Sequence, residues 1–312
     1  MPFSQNAEDA VDSTGPHYGV IFLPQEVGAE NPVGLFPPSE RMVGCYADTV
    51  DYGVPNEAEA VPLRSLEMVA QMRVGTLDPF GRAEQVAEQL TAAIGIGILN
   101  KGERLPPELT LAEHLGVSPL TLRQSLALLR SKGLLETRRG RGGGSFISGN
   151  VSVSDASIRT RLTQCGTDDL RDLGDVAASV AASAARLAAL RSDSQDIRRV
   201  RDLAARFDGA QGADELRRAD ARLHIGLGVA SQSRRLTTLM IQIQSEMAPL
   251  SWGQSWTDYR TQASAAHGLL IDAIERRDAA AAEQLARGHF ELEAALLIDQ
   301  HLDLLTAGTE SQ

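Results

Sequence analysis

Asp220 and His224 stand four residues apart beside Leu216, Leu223 and Leu227, a spacing that puts both side chains on one face of a helix, one turn apart. His267 falls in register with Leu270, Ile271 and Ile274, and His289 with Leu285, Leu292 and Leu296, so each marks the apolar face of a later helix. A single histidine on such a face is ordinarily a hydrogen-bonded core residue. Three of them with an aspartate are a different case: a buried carboxylate beside several imidazoles is costly, and a divalent cation is one arrangement that satisfies all four groups. Zinc is the first expectation, and nickel or manganese fits the same donors, because imidazole and carboxylate discriminate weakly among these ions. Trp252, Trp256 and Tyr259 lie in or after a helix break and are candidate lining for a ligand pocket, although such spacing also occurs in plain core. The remaining histidines, His17, His114 and His301, lack this context and read as surface or structural groups.

A second set of residues is basic. The chain carries a net charge of −11, yet residues 82–150 are positive by 3 while residues 1–81 are negative by 9. Within 123–141, Arg123, Arg130, Lys132, Arg138, Arg139 and Arg141 face the single acid Glu136. The elements around them are legible. Val86, Leu90, Ala93 and Ile94 give one helix face, Pro107 opens a second helix that Gly116 ends, and Ser118 caps a third with Pro119 in its first turn. In the third helix Leu122, Leu126 and Leu129 point inward and leave Thr121, Arg123, Gln124 and Ala127 outward. Residues 134–137 and 145–148 pair as a hairpin around a glycine-rich tip.

Three short helices followed by a basic hairpin describe a winged helix-turn-helix, whose third helix enters the DNA major groove. Arg123 and Gln124 then donate to base edges or phosphates, Thr121 lies at the positive helix N-terminus, and Arg138, Arg139 and Arg141 reach flanking phosphates. The Arg139–Ser145 loop is not a nucleotide-binding loop, because it lacks the Lys-Ser/Thr pair and continues as strand through Phe146 and Ile147.

The surrounding chain fits two domains of mainly α structure, an N-terminal winged helix-turn-helix and a C-terminal all-α antiparallel bundle. At 312 residues, 43% of them hydrophobic and only 4% aromatic, two cores are affordable and all-β packing of the second half is excluded. From about residue 155 the helical period dominates, with breaks at Ser192–Ser194, Gly209–Gly212, Ser231–Ser233, Trp252–Ser255 and Arg277–Asp278, giving five or six helices. The expected boundaries are an acidic flexible extension over 1–75, the DNA-binding domain over 76–150, a linker over 151–168, the helical domain over 169–305 and a tail over 306–312. Within the extension, Tyr18–Pro24 suits a short strand and Leu63–Met72 a helix, which leaves partial docking onto the body open. Cys45 and Cys165 are too far apart in sequence to suggest a disulfide framework or a paired thiolate site, which fits a cytoplasmic protein. No export signal and no run of about 18 apolar residues is read.

The run Gly97–Pro106, then Glu108, Leu111-Ala112, Leu115–Ser118, Leu122-Arg123, Leu126, Leu129 and Gly133–Leu135, resembles the GntR family of bacterial regulators. The resemblance implies that Arg104, Ser118, Thr121, Arg123, Arg139 and Gly140 contact an operator, and that a homodimer reads an inverted repeat. Leu109 and Pro119 stand where that family usually places arginines, and Pro107 replaces its usual cap serine. Residues 169–305 resemble the FCD effector domain of the FadR subfamily, through Asp220 and His224, Ala266-His267 with Ala273-Ile274 and Asp278, and His289. In metal-binding members those four positions are the ligands, and water or an effector carboxylate completes the coordination. Ala177 and Ala181 replace an arginine and a glutamate common in the first helix of that domain.

The expected function is a DNA-binding transcription regulator, not an enzyme, that responds to a small carboxylate at a metal site. Two other classes share some of these features. A metal-dependent hydrolase would use the same donors, but four protein ligands leave little room for a substrate and no general base is evident. A helical dimerisation module without a ligand would bind no metal.

Overall fold

α2 (Arg82–Gly95) buries Val86, Leu90, Ala93 and Ile94, the face its spacing defines. α3 (Glu108–Leu115) starts after Pro107 and stops at Gly116, whose φ of 63° is left-handed and favours glycine. α4 (Pro119–Ser131) opens on Ser118, whose hydroxyl oxygen accepts the Thr121 N–H at 3.1 Å, with Pro119 at its first position. Leu122, Leu126 and Leu129 are buried beneath it. β1 (Leu135–Arg138) pairs antiparallel with β2 (Gly144–Ile147), with Leu135 opposite Ile147 and Arg138 opposite Gly144. Both strands are displaced by one residue from 134–137 and 145–148. Leu134 is taken up in closing α4: its N–H bonds the Leu129 carbonyl at 2.9 Å across the left-handed Gly133.

The computed structural model describes residues 60–72, 81–140, 142–149, 152–253, 256 and 258–310. The expected strand at Tyr18–Pro24 lies outside them. The expected flexible extension over 1–75 is corrected at 60–72, because α1 (Leu63–Gln71) is packed on the body, with Val61, Leu66, Val69 and Met72 buried. The Val61 N–H bonds the Arg104 carbonyl at 2.9 Å, and the Gln89 amide bonds the Met72 carbonyl at 3.0 Å. Nor is 151–168 a plain linker. It carries α5 (Asp155–Gln164), capped by Ser154 and anchored by buried Ile158 and Leu162.

The rest is helical: α6 (Thr167–Arg191), α7 (Ser194–Gly209), α8 (Ala213–Ala230), α9 (Arg234–Met247), a short 3-10 turn (Ala248–Leu250), α10 (Tyr259–Glu275) and α11 (Ala279–Glu310). Counting α5, seven α-helices follow the hairpin among the described residues instead of five or six, because the break at Cys165-Gly166 carries no run of turn residues. The expected tail is helix as far as Glu310. Loops of two or three residues between α6, α7, α8 and α9, and between α10 and α11, turn the chain back on itself as a bundle. α6 packs along α11, and both are alanine-rich. A Cβ on Gly174 would sit 2.5 Å from that of Ala294, so the two helices approach at the limit that glycine allows. α6 also has the length and mean hydropathy of a membrane span, but more than half of that stretch is buried, as in a core helix.

Candidate metal centre and nucleic-acid interface

α8, α10 and α11 deliver the four expected donors to one point in the bundle. Asp220 and His224 are buried on α8, His267 on α10 and His289 on α11. The Nε2 atoms of His224 and His289 are 3.0 Å apart, and those of His267 and His289 3.2 Å. Asp220 Oδ1 lies 3.5 Å from His267 Nε2 and 3.8 Å from His224 Nε2. Donors held at about 2.0–2.2 Å from one first-row cation are themselves about 3–3.5 Å apart, so this spacing suits a single ion. The chemistry of the set agrees. Asp220 Oδ1 is buried without a hydrogen-bond partner, and three convergent imidazole nitrogens have too few protons to satisfy one another.

Burial sets the electrostatics. It lowers His224 and His289 to about 3 and His267 well below its ordinary value, so all three are neutral donors near pH 7. It raises Asp220 to about 6, against the pull of His289 and of the Trp252 hydrogen bond.

An outer ring orients three of these donors, as metal-binding imidazoles and carboxylates require, whereas His267 Nδ1 is buried without a hydrogen-bond partner. The Trp252 indole N–H donates to Asp220 Oδ2 at 3.0 Å and leaves Oδ1 for the centre. Trp252 does so at a φ of 59°, a left-handed conformation that costs a bulky residue on the order of 1–3 kcal/mol. The Tyr259 hydroxyl lies 3.2 Å from His289 Nδ1, and the Gln244 amide 3.1 Å from His224 Nδ1. It is the amide nitrogen of Gln244 that faces Nδ1 here; turning the amide over, so that its oxygen accepts from Nδ1–H, selects the tautomer whose Nε2 lone pair faces inward. Of the three aromatics singled out in the sequence, Trp252 and Tyr259 thus bond the donors, whereas Trp256 packs on both at centroid distances of 5.6 and 5.5 Å.

Two residues of this site escaped the sequence reading, Gln244 and Glu293. Glu293 is 3% exposed, its Oε1 has no hydrogen-bond partner, and it lies 3.4 Å from His289 Nε2. Burial and then Asp220 hold its carboxyl well above the usual range. Its only sequence signal is the spacing of four from His289. His301 is structural as expected, with Nδ1 on the Leu162 carbonyl at 2.9 Å and Nε2 3.1 Å from the Thr167 hydroxyl.

The DNA-facing candidates divide between helix and hairpin. Arg123 and Gln124 are exposed on α4, with Arg123 Nε on Glu108 at 2.7 Å. Ser118 and Thr121 bond each other at 2.9 Å, so their hydroxyls serve the cap. On the hairpin, Arg138 covers the Phe146 ring at 4.3 Å and pairs with Glu136 at 2.6 Å, while Arg139 and Gly140 are exposed at the tip. Arg104 bridges β2 at Phe146 and its side chain runs toward the tip end of that strand: a Cβ on Gly144 would meet its Nε at 2.9 Å. Arg141 lies outside the described residues.

Comparison with known proteins agrees with both halves. Residues 82–144 match the family described as bacterial regulatory proteins, gntR family, and residues 172–292 match the FCD domain. RmpR of Mycobacterium gastri, named as an HTH-type transcriptional regulator, is 35% identical over 234 residues, 73% of this chain and 85% of its own length. The chain belongs to the GntR family of transcription regulators. The Uxu operon transcriptional regulator of Escherichia coli is 29% identical, over 62% of this chain and 77% of its own. Among solved structures, McbR/YncC of E. coli is 20% identical with a TM-score of 0.43, over 71% of this chain and 99% of its own.

In this GntR-family chain α8 joins the donor cluster to the N-terminal half. α8 turns Asp220 and His224 inward, while Arg222 reaches Asn100 Oδ1 at 3.3 Å in the DNA-binding domain. Asp214, near its start, accepts the Val153 N–H at 3.1 Å, and buried Arg217 bonds both Asp214 and the Ser251 carbonyl. Glu293 falls one residue beyond the matched FCD segment.

Proposed function

We propose that this GntR-family regulator binds its operator as a homodimer and responds to a small carboxylate at a divalent metal, zinc first and nickel or manganese next, held by Asp220, His224, His267 and His289. The observation that carries the reading is the convergence of three imidazole Nε2 atoms on a buried carboxylate oxygen that has no other partner. A bound ion supplies the positive charge and open coordination positions that an effector carboxylate needs. The protein's own groups do the rest. Trp252, Gln244 and Tyr259 hold Asp220, His224 and His289 in register, and Trp252, Trp256 and Tyr259 are the aromatics that would line the effector's side of the centre.

Transmission runs through α8. A shift of Asp220 and His224 moves the same rigid helix whose Arg222 touches Asn100 and whose Asp214 and Arg217 hold Val153 and Ser251. The two recognition helices of the dimer then change their spacing on the half-sites, with Arg104, Ser118, Thr121, Arg123, Gln124 and the hairpin residues Arg138, Arg139, Gly140 and Arg141 as the contacts. Elemental mass spectrometry of the purified protein tests the metal step. The expected content is one ion per chain, lost in Asp220→Ala and His224→Ala. A folded wild type without stoichiometric metal would leave the bundle as a dimerisation module.

A further inference from the structure

The solvent face of α4 carries an unexpected chemistry for a helix that enters a DNA groove. Leu120, in its first turn, is 66% exposed, and Leu109, at the start of the preceding helix α3, is 65% exposed. Leu120 shares its face with Gln124 one turn later and Ala127 a turn beyond, and both of these are exposed. Arg123, the only cation in the outward part of that helix before Arg130, is drawn sideways onto Glu108 at 2.7 Å. The Gln124 amide has no protein partner among the described residues. Further positive charge sits at the edges of this face, on Lys132 and Arg138, which pair with Glu88 and Glu136, and on exposed Arg139, where phosphates would flank the groove.

We infer that this face reads A·T pairs: Leu120 packs on the C5-methyl group of a thymine, and Gln124 hydrogen-bonds a neighbouring adenine. In the major groove thymine alone among the four bases presents a methyl group, and adenine alone presents an acceptor N7 beside a donor N6. A glutamine amide matches the adenine pattern with both its oxygen and its nitrogen. An exposed leucine has no hydrogen bond to offer and gains only by covering an apolar group. Guanine would call for an arginine on the Leu120–Gln124 face, and Arg123 lies beside that face, paired with Glu108. The rise of 1.5 Å per residue places Leu120 and Gln124 about 6 Å apart, roughly two base-pair steps. Both recognitions therefore belong to one half-site.

The test starts from selection of a random duplex library by the full-length protein, in metal-free and zinc-loaded forms. In the best duplex each thymine is then replaced singly by deoxyuridine, which removes only the methyl group. The expected result is one thymine per half-site whose replacement weakens binding about fourfold, the scale of one buried methyl group. Leu120→Ala should bind the thymine and uracil duplexes alike while keeping wild-type affinity for a non-operator duplex at low salt, which shows that its fold is intact. Gln124→Glu should shift the preference at the adenine position to cytosine by about tenfold, because a carboxylate accepts from cytosine N4. The inference is overturned if no thymine responds in the wild type, if Leu120→Ala responds as the wild type does, if guanine is selected at both positions, or if neither form enriches any sequence.

Discussion

Zinc added to metal-free protein is expected to raise the thermal unfolding midpoint by about 10 °C, and Asp220→Asn is expected to abolish that rise while making the metal-free protein more stable. The two effects have one cause. Without an ion, Asp220 Oδ1 is a buried charge with no hydrogen-bond partner, and its pKa pushed up to about 6 measures the strain on the charged form. An asparagine keeps an oxygen for the Trp252 N–H and removes the charge, for a gain on the order of 1–3 kcal/mol. The same substitution deletes the anionic ligand, so the response to zinc is lost. A merely structural aspartate would behave oppositely, losing stability on neutralisation. Differential scanning fluorimetry on both proteins, with and without zinc, separates the two cases. A wild type whose midpoint ignores zinc contradicts the account.

Acid is expected to unfold the metal-free protein early, with about 3 kcal/mol of stability lost between pH 6 and pH 4. His224 and His289 have folded values of about 3 and His267 lies well below its ordinary value, whereas the unfolded chain takes up protons on all three from about pH 6.5 downward. The unfolded state therefore binds more protons across that window, and stability falls as pH falls. Asp220 and Glu293 act in the other direction, because burial raises both and the folded state holds their protons first. Three histidines outweigh two carboxyls. Zinc-loaded protein keeps its stability to lower pH, since a bound ion holds the imidazoles neutral. Thermal melts followed by circular dichroism at pH 7, 5.5 and 4.5 read both curves; a metal-free midpoint that is flat or rises on acidification contradicts the burial of these groups.

The donors were legible because each one interrupts an apolar helical stripe. Asp220 and His224 fix their own relative placement through the helix period, and His267 and His289 each declare a buried face through their leucine and isoleucine neighbours. Turn chemistry marked the DNA-binding domain equally well: Gly116 and Ser118 end and start helices where their backbone and side chain require it. Glu293 was not legible, because a glutamate in a run with Arg287 and Glu291 looks like a solvated face. Only the register of α11 against α8 and α10 decides that Glu293 is buried while Glu291 is exposed. Gln244 hides for the same reason, on a helix whose neighbouring Gln242 is half-buried and bonds α1 instead. The docking of α1 depends on partners outside its own stretch of chain, Gln89, Arg104 and the residues of α9, which the apolar pattern of 63–72 does not name. Helix α5 is short and mostly polar, and two buried side chains, Ile158 and Leu162, are all that tie it down.

The most direct test of the central claim is the affinity of the full-length protein for its selected operator, measured metal-free and zinc-loaded, each with and without a panel of small carboxylic acids. The account predicts that at least one acid changes operator affinity by about tenfold in the zinc-loaded protein, and that the change is absent both from metal-free protein and from His224→Ala. An acid that shifts operator affinity equally with and without the metal would contradict it.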